Sequence, residues 1–174
     1  MTDPGPAASS TAFAWGDTHL QQGWRGIVLG AALLIDKLDE DLRRLHKITF
    51  EEYVALVVLS ESPDGMCAGN LAVGKAVHPS RLTRLVTHMQ LAGWISRDSH
   101  AGRGTDAWVR ITPKGRALVE RAAPDHVASI HANVIDLVHR DDFLAVARLF
   151  SHVTDALVAR HPELDVRGGL TTAG

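Results

Sequence analysis

Apolar positions between Trp24 and Leu45 recur at three- and four-residue steps: Trp24, Ile27, Val28, Ala31, Leu34, Ile35, Leu38, Leu42 and Leu45. Asp39, Glu40, Asp41, Arg43 and Arg44 fall between them. That period gathers the apolar set on one face of a helix and predicts one long helix over about residues 17–46. Thr49, followed three residues later by Glu52, has the pattern of a capping box. It predicts a second helix that ends near Pro63-Asp64-Gly65. A third, short helix is predicted from Cys67 to about Gly74. The break at Val77-His78-Pro79 separates it from a fourth, running from Pro79 to about Leu91. Proline is tolerated at the first position of a helix, where its missing N–H has no partner to lose, and Gly93 serves as the terminator.

The period then changes. Trp94, Ile95 and Ser96 read as extended, and AWVRI at 107–111 is a second strand of aromatic and β-branched residues. Between them His100-Ala101-Gly102-Arg103-Gly104-Thr105 is a loop of small residues with an arginine near its tip, so the pair reads as a β-hairpin. After Thr112-Pro113 a long helix is predicted to about Val138, and Arg140-Asp141-Asp142 leads into a last one ending near Arg160. Residues 1–16 and 161–174 read as flexible tails. No internal repeat or low-complexity block interrupts this order.

Composition narrows the class. A chain of 174 residues fits one domain with a helical extension, and 45% hydrophobic with 22% charged residues is ordinary for a soluble globular protein. The opening MTDPGPAASSTA lacks the basic start and apolar centre of a secretory signal. The most apolar run, IVLGAALLI at 27–35, is far too short to span a bilayer, so no membrane partner is expected. One cysteine, Cys67, excludes an internal disulfide and fits a reducing, cytoplasmic (nucleoid-associated) location. Charge is unevenly spread. From Lys75 to Arg116 there are eight basic residues (Lys75, Arg81, Arg84, Arg97, Arg103, Arg110, Lys114, Arg116) against Asp98 and Asp106. That segment carries +6, which leaves −8 for the rest of a chain whose net charge is −2. A basic middle between acidic flanks suits a phosphate-binding module, although a solvated face would look the same.

Two short helices joined by a tight turn and followed by a hairpin are a known way to place a helix in the major groove of DNA. Such a unit needs apolar residues where its helices pack, and Leu71, Val77, Leu82 and Leu85 comply. It needs small residues at the crossing and the turn, where Ala72 and Ala76 stand. The outward face of the fourth helix then carries Ser80, Arg81, Thr83 and Arg84, with His88 one turn later and Lys75 before it. Hydroxyls and arginines reach phosphates and base edges, and an arginine can grip guanine through two hydrogen bonds.

In this order of elements the chain resembles the MarR family of winged helix-turn-helix regulators, from about residue 18 to 160. LAVGKAVHPSRLTRLVTHMQLAGWI is similar to that family's third and fourth helices, including Thr83-Arg84 and the exit Ala92-Gly93-Trp94. VRITPKG is similar to the strand that leaves the wing and enters the dimerisation helix. The resemblance implies a mainly α fold with a small β-wing: an N-terminal dimerisation helix (17–46), a winged helix-turn-helix domain (47–112) and C-terminal dimerisation helices (113–160). It also implies a homodimer on a (pseudo)palindromic operator in double-stranded DNA. Its recognition helices would occupy successive major grooves, and a wing arginine, here Arg103, would lie near the minor groove. Repression is the family's commoner habit. The family usually carries Asp-x-Arg just before the second wing strand; here those positions are Arg103 and Thr105, so the assignment of Arg103 departs from the pattern.

The last helix is apolar over a wide arc, with Phe143, Ala147, Phe150, Val153 and Leu157 on one stripe and Val146, Leu149 and Val158 elsewhere. That breadth asks for more than one packing partner. Many members of the family release DNA on binding a small aromatic or anionic effector. Trp24, His46 and Tyr53 are conceivable lining residues, but each reads more readily as plain core or surface. No cofactor is expected. Cys67 reads as a small buried residue. His126, His131 and His139 are the nearest candidates for a regulatory metal, but His126 and His131 lie five apart, on different helix faces. No phosphate loop, GxSxG elbow or acid–histidine cluster points to an enzyme. A non-specific architectural DNA binder, or a protein-interaction module, remains the alternative reading.

Overall fold

The computed structural model describes residues 17–71, 79–98 and 107–161. The chain divides into two compact units, Met1–Leu34 and Ile35–Gly174. In the first, the described residues from Thr18 onward belong to helix α1 (Thr18–His46), and Leu20, Trp24, Val28, Leu29 and Leu33 are exposed.

In the second unit α1 continues to His46, burying Leu38 and Leu42. Lys47 takes a left-handed conformation (φ 61°), which lets the chain reverse after the helix. Helix α2 (Phe50–Ser60) opens on the expected capping box. Thr49 Oγ1 accepts from Glu52 N at 3.0 Å, and Glu52 Oε2 accepts from Thr49 N at 2.8 Å. Asp39 Oδ1 accepts from Phe50 N at 2.8 Å, so a further first-turn donor is satisfied from α1.

The chain next forms a short strand, β1 (Met66–Cys67), and a 3-10 turn, Ala68–Asn70. The sequence suggested a helix from Cys67 onward; the structure corrects its start. The backbone at Gly65 (φ 77°) passes so close to Val109 O and Arg110 that a side chain there would clash. Trp108 Nε1 donates to Asp64 O at 3.0 Å, and Ala68 N to Ala107 O at 2.7 Å. Those contacts fasten residues 64–68 to a strand forty residues away. Residues 72–78, which hold the rest of the expected third helix with Ala72, Ala76 and Val77, lie outside the described residues.

Helix α3 (Pro79–Leu91) is followed by β2 (Ile95–Arg97) and β3 (Trp108–Ile111). The three strands form an antiparallel sheet in the order β1-β3-β2, with Met66 opposite Val109 and Ile95 opposite Ile111. Helix α4 (Pro113–Asn133) starts on Thr112, whose hydroxyl accepts from Gly115 N at 3.1 Å. Gly115 sits against the carbonyl of Trp94, where any Cβ would overlap it. The expected continuation to Val138 does not form. Val134 leaves helical geometry (φ −138°, ψ −66°), and a 3-10 turn over Ile135–Leu137 follows. Helix α5 (Arg140–Arg160) ends where the pattern placed it.

The core joins α2, α3, the sheet and the first half of α4. Ile48, Leu56, Leu59, Leu71, Leu82, Met89 and Val109 are among its largest fully buried side chains. Every α2 residue from Glu52 to Leu59 except Val54 and Val57 is buried, so that helix is the hub on which the others pack. The architecture is mainly helical with a small sheet, as the sequence suggested.

Candidate nucleic-acid interface

Helix α3 is sharply two-sided. Leu82, Leu85, Val86 and Met89 are buried, whereas Ser80, Arg81, Thr83, Arg84, Thr87 and His88 are exposed. Burial of four large apolar side chains at i, i+3, i+4 and i+7 fixes the helix's rotation about its axis, and with it the outward row. Gly93 (φ 74°) ends the helix in a left-handed turn. Lys114 Nζ reaches back to Ala92 O at 2.7 Å, placing a cation at the carbonyl end of α3. Thr112 Oγ1 donates to Gly93 O at 2.8 Å, so the exit of α3 and the entry of α4 are tied together.

Two of the candidate contact residues have partners on α2. Arg81 meets Glu51 along one edge of its guanidinium, with Nη2 2.6 Å from Oε1 and Nε 3.2 Å from Oε2. His88 Nδ1 lies 2.5 Å from Oε1 of Glu52, a carboxylate that is itself buried, and the ring stands edge-on to Trp94 at 5.7 Å. His88 therefore turns one nitrogen inward. Arg84 is exposed and has no ion pair among the described residues. Ser80 and Thr83 are exposed and each has an interaction partner. Lys75 and Arg103 lie outside the described residues, as does the wing loop 99–106.

The basic segment counted from the sequence divides by role. Lys114 and Arg116 satisfy helix-end carbonyls, Arg116 donating to Ser60 O at the end of α2 at 3.3 Å. Nε and Nη2 of Arg97 are buried without a hydrogen-bond partner among the described residues. Sequence reasoning missed Glu51 and Glu52 as members of this site. They stand 30 and 36 residues from their partners, and only the capping-box role of Glu52 is visible locally.

A shallow depression in the second unit is lined by α1 residues Leu38, Asp41, Leu42, Leu45 and His46 and by α4 residues Asp125, His126 and Ser129. His46 Nε2 lies 2.8 Å from Asp125 Oδ2, and Ser129 donates to Asp41 at 2.8 Å. Hydrogen bonds from Lys37 and Ser129 hold the Asp41 carboxyl down to about 2. His126 Nδ1 is buried and has no hydrogen-bond partner among the described residues. Its ring packs 4.6 Å from Tyr53, and burial pushes its pKa below the usual imidazole value. Of the conceivable effector-lining residues, His46 borders this depression, Tyr53 is core and Trp24 is an exposed residue of the first unit. Among the described residues no three His, Cys, Asp or Glu side chains are grouped to hold a metal. His131 pairs with Asp136 at 3.2 Å.

No family profile matches the sequence. A curated relative, the HTH-type transcriptional repressor Rv2887 of Mycobacterium tuberculosis, is 32% identical over 75 residues, covering 43% of this chain and 53% of that one. The chain thus spans about half the length of the curated relatives it matches first. Among solved structures, AbsC of Streptomyces coelicolor, a MarR family regulator, superposes with a TM-score of 0.72 at 28% identity, covering 83% of this chain and 98% of that one. Sco3205 of the same organism, a MarR family regulator solved in complex with DNA, gives 0.71 at 26% identity over 82% and 90%. Rv2887 in complex with p-aminosalicylic acid gives 0.57 at 25% identity over 76% and 97%. Over most of its length, at 25–28% identity, this chain is thus similar in fold to solved MarR family regulators.

Proposed function

We propose that this chain is a sequence-specific transcriptional regulator, acting as a repressor on double-stranded DNA and not as an enzyme. The observation that carries the reading is the outward row Ser80, Thr83 and Arg84 on a helix whose opposite face is locked into the core. A helix so fixed presents hydroxyls and a guanidinium at a constant angle, which base-edge readout requires. The likeness to Sco3205, solved in complex with DNA, supports DNA as the partner; in this reading α3 enters a major groove and the wing lies near the minor groove.

A homodimer is part of the reading. Helix α5 buries none of its residues, and Phe143, Val146, Leu149, Phe150, Val153 and Leu157 are all exposed. The first unit exposes Leu20, Trp24, Val28, Leu29 and Leu33. Apolar area on this scale leaves water when a second copy covers it, and a two-fold dimer matches a palindromic site. Rv2887 was solved with p-aminosalicylic acid and with salicylic acid, which supports a small aromatic, anionic effector here. Such a ligand needs only to favour the spacing of recognition helices that misfits the operator.

The test is selection of binding sites by the purified protein from a pool of randomised duplexes, followed by anisotropy titration of the selected duplex beside a scrambled one across a salt series. An enriched two-fold symmetric site, bound far more tightly than the scrambled duplex, supports the reading. Equal binding to all duplexes indicates an architectural role, and binding to none refutes DNA recognition.

A further inference from the structure

The contact between Arg81 and Glu51 is a fork-to-fork pair. Nε and Nη2, the two nitrogens that present parallel N–H bonds to a phosphate or a carboxylate, both face Glu51. Arg81 is 65% exposed, so the pair lies in water and its own stability is small. Its base is firm, however. Glu51 stands on the first turn of α2 next to Glu52, which is fixed by the capping box with Thr49 and by His88. Arg81 and His88 are seven residues apart, two turns along α3, so two adjacent carboxylates of α2 hold two basic groups on one edge of the recognition helix.

We infer that Glu51 is a specificity-setting residue. It competes with DNA phosphate for the Nε–Nη2 edge of Arg81 and so suppresses binding to non-cognate sequence. This rests on the DNA-binding reading above. A protein that must find one site among very many gains discrimination when its sequence-independent phosphate contacts are weakened. The pair at Arg81 does this reversibly, because an exposed ion pair opens for little and phosphate can take over when the rest of the helix fits. Arg84, with no ion pair among the described residues, is not restrained in this way.

The experiment compares wild type, Glu51→Gln, Arg81→Gln and the double variant on the selected and scrambled duplexes, each across a salt series. Glu51→Gln is expected to bind scrambled DNA more tightly, by about five-fold at 0.15 M salt for each copy bound. Its salt slope should steepen by about 0.9 per copy, as one further phosphate contact requires. The ratio of selected to scrambled affinity should fall. In the double variant the gain should vanish, while Arg81→Gln alone should leave scrambled binding nearly unchanged. An unchanged slope in Glu51→Gln overturns the inference. So does a gain that survives without Arg81, which would show simple loss of a negative charge near DNA. Both results leave DNA recognition itself standing, because the wild type still discriminates. A wild type that binds neither duplex refutes that reading and the inference with it.

Discussion

Truncating Glu52 to alanine tests how helix α3 is held. Glu51 and Glu52 are neighbours in the first turn of α2, and each interacts favourably with the positive end of the helix dipole by roughly 0.3–1 kcal/mol. Comparing the two alanine variants cancels that contribution and most of the propensity change. What remains for Glu51 is an exposed ion pair with Arg81, worth about 0.2–1 kcal/mol. Glu52 loses more. Its bond to Thr49 N is half of the capping box, about 1 kcal/mol. Its contact with His88 is a hydrogen bond to a buried carboxylate oxygen, about 1 kcal/mol after solvent has recovered the exposed imidazole. Its stem, only 5% exposed, adds buried methylene area. The expected gap is about 2 kcal/mol, so Glu52→Ala should melt roughly 4–8 °C below Glu51→Ala for a chain of this size. Thermal unfolding by circular dichroism measures it, at one fixed protein concentration because self-association makes a melting point depend on concentration. Melting points within a degree of each other would refute the argument. A cycle with His88→Ala isolates the cross-helix contact: a coupling near zero would mean that α2 and α3 are not joined there.

Other parts of the site make separate demands. Gly115→Ala drives a methyl into the Trp94 carbonyl, a backbone atom that cannot swing aside, and should cost about 1–3 kcal/mol in urea unfolding; an unchanged midpoint would mean that α4 does not enter so tightly. His126 has its pKa lowered by burial, so the folded state resists protonation. The stability tied to the neutral ring is complete above the ordinary value of 6.5 and declines as pH falls below it. His126→Phe, which keeps the packing against Tyr53, should therefore lose less stability than wild type as pH falls below 6.5, and parallel pH profiles would contradict this. Arg84→Ala should leave the melting point unchanged but weaken binding to the selected duplex and flatten its salt slope by about 0.9 per copy if the residue meets phosphate. A melting loss would place Arg84 in the structure and not at DNA.

Local patterns were legible in the sequence to the extent that local physics decides them. The capping box at Thr49 and Glu52, the stop at Gly93 and the start at Thr112-Pro113 each need only a few neighbouring residues, and all three bound helices in the structure. Leu82 and Leu85 were identifiable as a packing face because helical spacing fixes which residues share a side, and both are buried; Leu71, which ends a 3-10 turn instead of continuing a helix, is buried as well. Strand β1 was not legible. Two residues carry no period, and Cys67 is extended because Trp108 and Ala107 hold its flanks from across the sheet. The end of α4 was misread because the apolar pattern runs on through Ile135 and Val138 while the backbone turns at Val134.

The charge count shows the same limit and alters how the interface is understood. Eight basic residues between Lys75 and Arg116 suggested one phosphate-binding surface. Lys114 and Arg116 instead cap the carbonyl ends of α3 and α2, where a cation opposes the helix dipole, and Arg81 is held by Glu51. The formal charge therefore overstates what is offered to DNA. Within α3, Arg84 is the guanidinium left with no ion pair among the described residues, between hydroxyl residues on the same outward face. A protein built in this way would draw less of its affinity from uniform phosphate attraction and more from the fit of one helix edge. Its discrimination would then depend on how firmly α2 holds α3. On the proposed reading, the two carboxylates at the start of α2 connect fold stability to sequence choice: Glu52 holds α3 through His88, and Glu51 restrains Arg81 beside it.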